Sequence, residues 1–349
     1  MGFARVIRGV GLSMLLAQGA FAGELPLSGE VAASAAVEIQ QPLVENTTKV
    51  VSAELAHIAL SPKSESDAVQ GYQQDVGVAP KTQPKLNSES YSFKTTVDDV
   101  KAIKWEGLGA LAGITALGIK SWDWGSSGFH FNNEHWFGKN TGSGGSDKLG
   151  HAFTSYALTN AFAERLQAKG RSPERAALSA SLLSTALMLY VEAFDGVSGD
   201  HGFSYEDVVM NSLGIGFAYL RQTNQRFKSL VDFRMEYKPS GYKGFKPLSD
   251  YEGQKYLLAL KLSGFKSLKQ SPLRYFELQA GYYSRGFSKE ARNDGQSRRQ
   301  QGFVGIGVNL SQLFFGYPSE ADRSYDQVGR FTFEHVQVPY TAARIENKF

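Results

Sequence analysis

The chain has no cysteine among its 349 residues. That excludes a disulfide framework and a lipid-modified cysteine within this sequence. A marked excess of either charge is lacking too: 37 Lys and Arg stand against 34 Asp and Glu, a formal net charge of +3. No basic stripe interleaves with aromatics, so nucleic acid is excluded as a partner. The uncharged helical stretches 176–190 and 208–220 fall short of the ~20 residues of a usual membrane-spanning helix. The G-K-[S/T], H-E-x-x-H and G-x-S-x-G patterns are missing, which leaves nucleotide binding, a zincin site and a hydrolase elbow without support. No repeat of fixed period is evident.

Aromatics are plentiful (23 Phe, 16 Tyr, 4 Trp), yet residues 24–90 hold one, Tyr72, amid Ser, Gln, Ala, Glu, Lys and Pro. Such a segment cannot bury enough apolar surface to offset its ordering entropy. Residues 23–90 therefore read as a disordered tether that could reach a protein partner. Ahead of it, Arg5 and Arg8, the apolar run 10–17 and Ala20-Phe21-Ala22 have the three parts of a secretory signal, 1–22, with Gly23 starting the mature chain. Export to the periplasm or outer membrane is expected.

From 91 onwards the pattern becomes helical, then period-two. A helical stretch over 97–119 ends in Gly-Leu-Gly-Ala-Leu-Ala-Gly. A loop rich in Gly and aromatics (121–146) follows, with Trp122, Trp124, His130, His135 and Trp136. Helices are expected over 148–168, over 174–194 behind the Ser172-Pro173 cap, and over 204–220 behind Ser204. After 226, alternations such as Phe233, Met235, Tyr237, then Val304, Ile306, Val308, and finally Phe331, Phe333, Val336, Val338 predict strands. The fold class expected is α+β: a four-helix unit over 91–225, then an antiparallel sheet of about five long strands over 226–349. The strands have the alternation of outer-membrane strands, but a closed bacterial barrel needs at least eight. Envelope lipid is a possible partner on that account.

Three polar groups interrupt the apolar helices: Asp147-Lys148-x-x-His151, Glu192-x-x-Asp195-Gly196, and Ser204-x-x-Asp207-x-x-x-Asn211-x-x-Gly214. Spacings of three and four put the members of each group on one helix face. Buried singly, each such group carries a desolvation cost, so they are expected to converge into one mutually satisfied site. Asp147 can orient His151 or cap the helix. Lys148 can pair with Glu192 or Asp207, and Gly214 lets another helix approach. Glu192 and Asp195 lie at a helix C-terminus, unfavourable for carboxylates without a cation or donor nearby. Asp207 can complete a capping box with Ser204. His151, Glu192, Asp195 and Asp207 have the donor chemistry of a divalent-metal site, although no dense signature fixes a metal or any other cofactor.

The order and spacing of these groups resemble the uncharacterised DUF2279 family of exported bacterial proteins and, more distantly, the VanZ-like membrane family, over about residues 100–225. The resemblance implies no established reaction. Two functions remain open. One is a cell-envelope protein whose cluster is structural or binds a ligand. The other is an envelope hydrolase or transferase acting on lipid or cell-wall substrates. In that case His151 would act with Asp147 and Glu192, and Lys148, Asp195, Asp207 and Asn211 would line the site.

Overall fold

A computed structural model describes residues 92–319 and 322–348. The expected signal (1–22) and the whole of the tether (23–90) lie outside the described residues. Helix α1 (Phe93–Ala102) starts at Ser92, whose hydroxyl accepts from the Thr95 N–H while the Thr95 hydroxyl serves the Ser92 N–H. The chain breaks at the buried Ile103 and continues as α2 (Lys104–Ser121), so the first expected helix is two. Asp99 of α1 receives Arg171, Arg175 and Ser179, which ties α1 to the start of α4.

The next three helices follow the sequence pattern: α3 (Ser146–Ala168), α4 (Pro173–Asp195) behind the Ser172 cap, and α5 (Tyr205–Thr223) behind the Ser204 cap. A short α6 (Gln225–Leu230) leads into the sheet. Helix α3 is the axis of the molecule, packed on α4 and α5 on one side and on the sheet on the other. Gly214 sets the α3–α5 distance, because a Cβ there would stand 2.0 Å from the Ala152 carbonyl oxygen. On the sheet side, Phe153 and Tyr156 of α3 meet Met235, Tyr237 and Tyr256 in a buried aromatic cluster.

Among the described residues the sheet has six strands in the order β5-β1-β2-β3-β4-β6. These are β1 (Val231–Tyr237), β2 (Gln254–Lys261), β3 (Phe276–Arg285), β4 (Arg299–Val308), β5 (Val336–Gln337) and β6 (Ala342–Lys348). All pairings are antiparallel except β1 with β5. The fold is α+β, as expected, with a mostly antiparallel sheet. Its strands run to ten residues at most.

The end of the chain differs from the alternation read there. Phe331 and Phe333 belong to α9 (Ser324–His335), and only Val336–Gln337 is extended. Tyr325, Val328, Phe331, Thr332 and His335 recur at helical spacing, a longer match than two phenylalanines two apart. Helices α7 (Lys289–Asn293) and α8 (Leu310–Phe315) are short connectors.

The sheet is strongly curled. Strands β1 and β6 are four strand spacings apart in the ladder, about 19 Å if flat. Yet Arg344 of β6 reaches Glu236 of β1 at 2.7 Å. The concave face this creates is filled by ion pairs: Asp232 with Arg221, Arg234 and Lys261, and Arg234 with Glu277.

Candidate functional site

The first turn of α3, the last turn of α4 and the first turn of α5 meet at one end of the helical unit. Gly144 and Gly145 lead into α3 with φ of +66° and +89°. A side chain at 145 would collide with Phe137. This tight entry aims Asp147, Lys148 and His151 at α4 and α5.

Lys148 is 1 % exposed and is shared by three carboxylates: Glu134 Oε2 at 2.5 Å, Asp207 Oδ1 at 2.8 Å and Asp147 Oδ2 at 3.0 Å. Of the two partners expected for it, Asp207 is therefore the one found. Asp147 does not cap α3, since Gly145 holds the N-cap position. Its carboxylate accepts from the Ser143 hydroxyl and from Lys148. Asp207 donates its backbone N–H to the Ser204 hydroxyl at 3.3 Å, but its carboxylate turns to Lys148 instead of closing a capping box.

His151 lies between the second and third groups. Its Nδ1 is 3.3 Å from Glu192 Oε1 and its Nε2 is 3.8 Å from Asp207 Oδ1. The first contact lacks hydrogen-bond alignment, and the second is beyond hydrogen-bond distance. Asn211 Nδ2 donates to Glu192 Oε1 at 3.0 Å, leaving Glu192 Oε2 and Asn211 Oδ1 buried without a hydrogen-bond partner. Asp195 accepts from the Trp124 indole N–H at 2.6 Å. The structure thus brings Asp147, Lys148, His151, Glu192, Asp195, Asp207 and Asn211 into one cluster.

It also adds two residues that the sequence did not place in the cluster. Glu134 comes from the loop before α3, and Trp124 from the loop after α2. The signal for Glu134 was an acidic residue 13 positions before Asp147 in an otherwise aromatic and Gly-rich loop. Of the loop histidines, His201 lines the cleft described next.

The electrostatics are unbalanced. Five carboxylates (Glu134, Asp147, Glu192, Asp195, Asp207) surround two cationic groups, Lys148 and His151. Burial pushes the Glu134 carboxyl up to about 7; Lys148 opposes this and Asp207 adds to it. Burial likewise raises Glu192, against the pull of His151. Burial works to lower the His151 pKa, but Asp207 and Glu192 outweigh it and carry it up to about 10. Lys148 is also held above the usual lysine range: burial opposes its charge, and Asp147, Asp207 and Glu134 overcome that.

The cluster forms the floor of an open cleft of about 540 Å³. Glu134, Asp147, His151, Asp195 and Asp207 reach it, and Tyr242 and Tyr251 of the sheet connections lie among its other walls. Among the described residues, two sets of three have donor atoms close enough for one metal ion, within 4.8 Å of one another: His151, Glu192 and Asp207, and Glu134, Asp147 and Asp207. The Lys148 ammonium already occupies the second set. The first has an orphaned carboxylate oxygen and a histidine, the mixed oxygen and imidazole set that suits Zn or Mn.

An α+β chain with a carboxylate-rich cluster at the meeting of three helix ends is what the fold and site define. Comparison with family models matches residues 133–223 to DUF2279, described as a predicted periplasmic lipoprotein. The match begins one residue before Glu134 and ends with α5, so it contains the whole cluster except Trp124. It is consistent with an exported, periplasmic protein of the cell envelope. The lipoprotein part of that description has no cysteine in these 349 residues to attach to. No curated protein and no solved structure matches the chain.

Proposed function

We propose that the cluster on α3, α4 and α5 binds one divalent cation at the floor of the cleft, and that this ion acts as a Lewis acid on an envelope substrate. One observation carries the reading: the donor atoms of His151, Glu192 and Asp207 lie within 4.8 Å of one another, beside a carboxylate oxygen with no hydrogen-bond partner. A divalent ion would relieve the excess of negative charge, which a buried site tolerates only when paired. It would displace the proton that the carboxylates favour on His151, since a ligating imidazole must be neutral. Asn211 would keep Glu192 oriented, as outer-shell donors do for ligating carboxylates. Lys148, fixed by Asp147, Asp207 and Glu134, would stay beside the ion and offset part of the remaining negative charge.

The open cleft favours hydrolysis or transfer over simple storage of an ion, because a substrate of lipid or cell-wall type has room to reach it. Periplasmic or outer-membrane residence of the mature chain, after removal of 1–22, belongs to the same reading.

The test is metal analysis of the purified full chain after dialysis against Zn²⁺ and Mn²⁺ separately. One equivalent of either ion is expected, and a loss of at least tenfold in affinity in Asp207→Asn and Glu192→Gln, each still folded by circular dichroism. Absence of a stoichiometric ion, with no rise in melting temperature on adding metal, would return the cluster to a structural role. That second reading rests on the ties of Lys148 and Asn211, which already bind the three helices together.

A further inference from the structure

The sheet is inside out. The pairing registers put every charged strand residue whose side chain is described on the concave face: Asp232, Arg234 and Glu236 of β1, Lys255 and Lys261 of β2, Glu277 and Arg285 of β3, Arg299 of β4, and Arg344 and Glu346 of β6. The convex face carries Leu258 and Leu260, Phe276, Leu278 and Ala280, Val304 and Ile306, and Ala343 and Ile345, with no charge. Helix α3 covers its β1 side and Tyr256 of β2, and Leu260 and Leu278 pack against Leu230, Leu262, Phe265 and Leu268, which leaves Leu258 of β2 exposed. Beyond that cover, Val304 is 58 % and Ile345 71 % exposed. A sheet in water does the reverse, burying its apolar face; polar inside and apolar outside is the arrangement of strands facing lipid.

The helices continue the same surface. Between Lys104 and Lys120, α2 exposes Trp105, Leu108, Leu117 and Ile119, and its one charged residue there, Glu106, is buried against Arg165. Helix α4 has no charge between Arg175 and Glu192 and exposes Leu182 and Leu189. It is long and apolar enough to cross a membrane, but only 44 % of its most apolar window is buried inside the protein. Helix α5 exposes Val209, Leu213 and Leu220 on the face opposite Asp207 and Asn211. A helix apolar on both faces, with one of them exposed, lacks a partner. At 1.5 Å per residue these uncharged stretches are about 20–24 Å long, approaching the apolar band of ~25 Å around outer-membrane barrels.

We propose that this uncharged belt, formed by the outer faces of α2, α4 and α5 and the convex face of β2, β3, β4 and β6, is seated in a lipid bilayer. A soluble protein partner would meet one face. Apolar surface spread over three helices and four strands fits a surrounding solvent of hydrocarbon. The carboxylate cluster lies past one end of the belt, at the start of α5 and the end of α4, which puts the cleft at headgroup level. The consequence for the site, selection of amphiphilic substrates, rests on the cation reading; the bilayer seat itself does not.

The chain has no native cysteine, so single labels are clean. The full chain would carry Leu213→Cys, Val304→Cys or Ile345→Cys, with Glu290→Cys on the exposed α7 as the control. Each would be labelled with an environment-sensitive fluorophore and reconstituted into vesicles of phosphatidylethanolamine and phosphatidylglycerol. We expect blue-shifted emission at the three belt positions, quenched at least twofold by acyl-chain-brominated lipid, and neither effect at Glu290→Cys. The same result in an Asp207→Asn background would separate the bilayer seat from the cation site. Recovery of the chain in the aqueous fraction with all four labels in water would overturn the proposal. So would belt labels buried without lipid in a discrete dimer, which would make a second copy the occupant.

Discussion

Replacing Lys148 with Met keeps the length of the side chain and removes the ammonium that Glu134, Asp147 and Asp207 share at 2.5, 3.0 and 2.8 Å. The three carboxylates, at most 20 % exposed, would then face one another without a cation. Breaking a buried ion pair by deleting one partner costs about 3–5 kcal/mol. One ammonium serves three anions here, which pushes the cost up. Proton uptake by Glu134, already held up to about 7 by burial and its acidic neighbours, pulls it down. We expect a loss of about 4 kcal/mol at pH 8 and a smaller loss at pH 6, where Glu134 takes the proton. In the full chain melted in detergent and followed by circular dichroism, this is a fall in Tm on the order of 10 °C at pH 8. Adding Asp207→Asn removes one of the three repelling charges and should restore at least about 1 kcal/mol. A loss under about 1 kcal/mol in Lys148→Met, or a double variant less stable than the single one, would refute the reasoning.

Other outcomes follow from the same geometry. Gly214→Ala puts a methyl 2.0 Å from the Ala152 carbonyl oxygen, so α3 and α5 must separate. We expect a loss of about 1–3 kcal/mol in thermal melts, as for an overpacked core. Asn211→Leu should be milder than Asp207→Ala in the same assay, because the first removes a neutral donor to Glu192 and the second a counter-charge of Lys148. His335 is buried between Phe331 and Tyr156, and burial, aided by the nearby Arg221 charge, lowers its pKa to about 4. The folded protein therefore binds fewer protons than the unfolded chain between about 4 and 6.5. The contribution is intact above pH 6.5 and is lost as pH falls to 4, up to roughly 3 kcal/mol. Acid melts of wild type against His335→Gln should differ in slope within that window, and equal slopes would contradict the assignment.

Much of the helical unit could be read from the sequence because local rules decide it. Ser172-Pro173 and Ser204 form the caps that their residue types favour, and polar residues three and four apart on apolar helices had to meet something. Asp147, Lys148, His151, Glu192, Asp195, Asp207 and Asn211 do meet. The contributions of Glu134 and Trp124 were not legible, since both sit in a loop whose path is set by distant contacts such as His130 N–H to the Gly196 carbonyl. Local spacing also missed the break at Ile103 and the switch at 324–335, where two phenylalanines two apart outweighed a helical pattern. Strand alternation was visible, but which face was enclosed was not. Only the curl that brings Arg344 to Glu236 shows that the charged side is the inside.

The cation site is tested most directly by diffraction from crystals of the full chain grown with Mn²⁺, recorded where manganese scatters anomalously. The account predicts a single anomalous peak bounded by His151, Glu192 and Asp207, about 2.0–2.3 Å from one donor atom of each, and its disappearance in Asp207→Asn. A cluster with these three side chains in place and no peak between them, or a peak only at surface carboxylates, would contradict it.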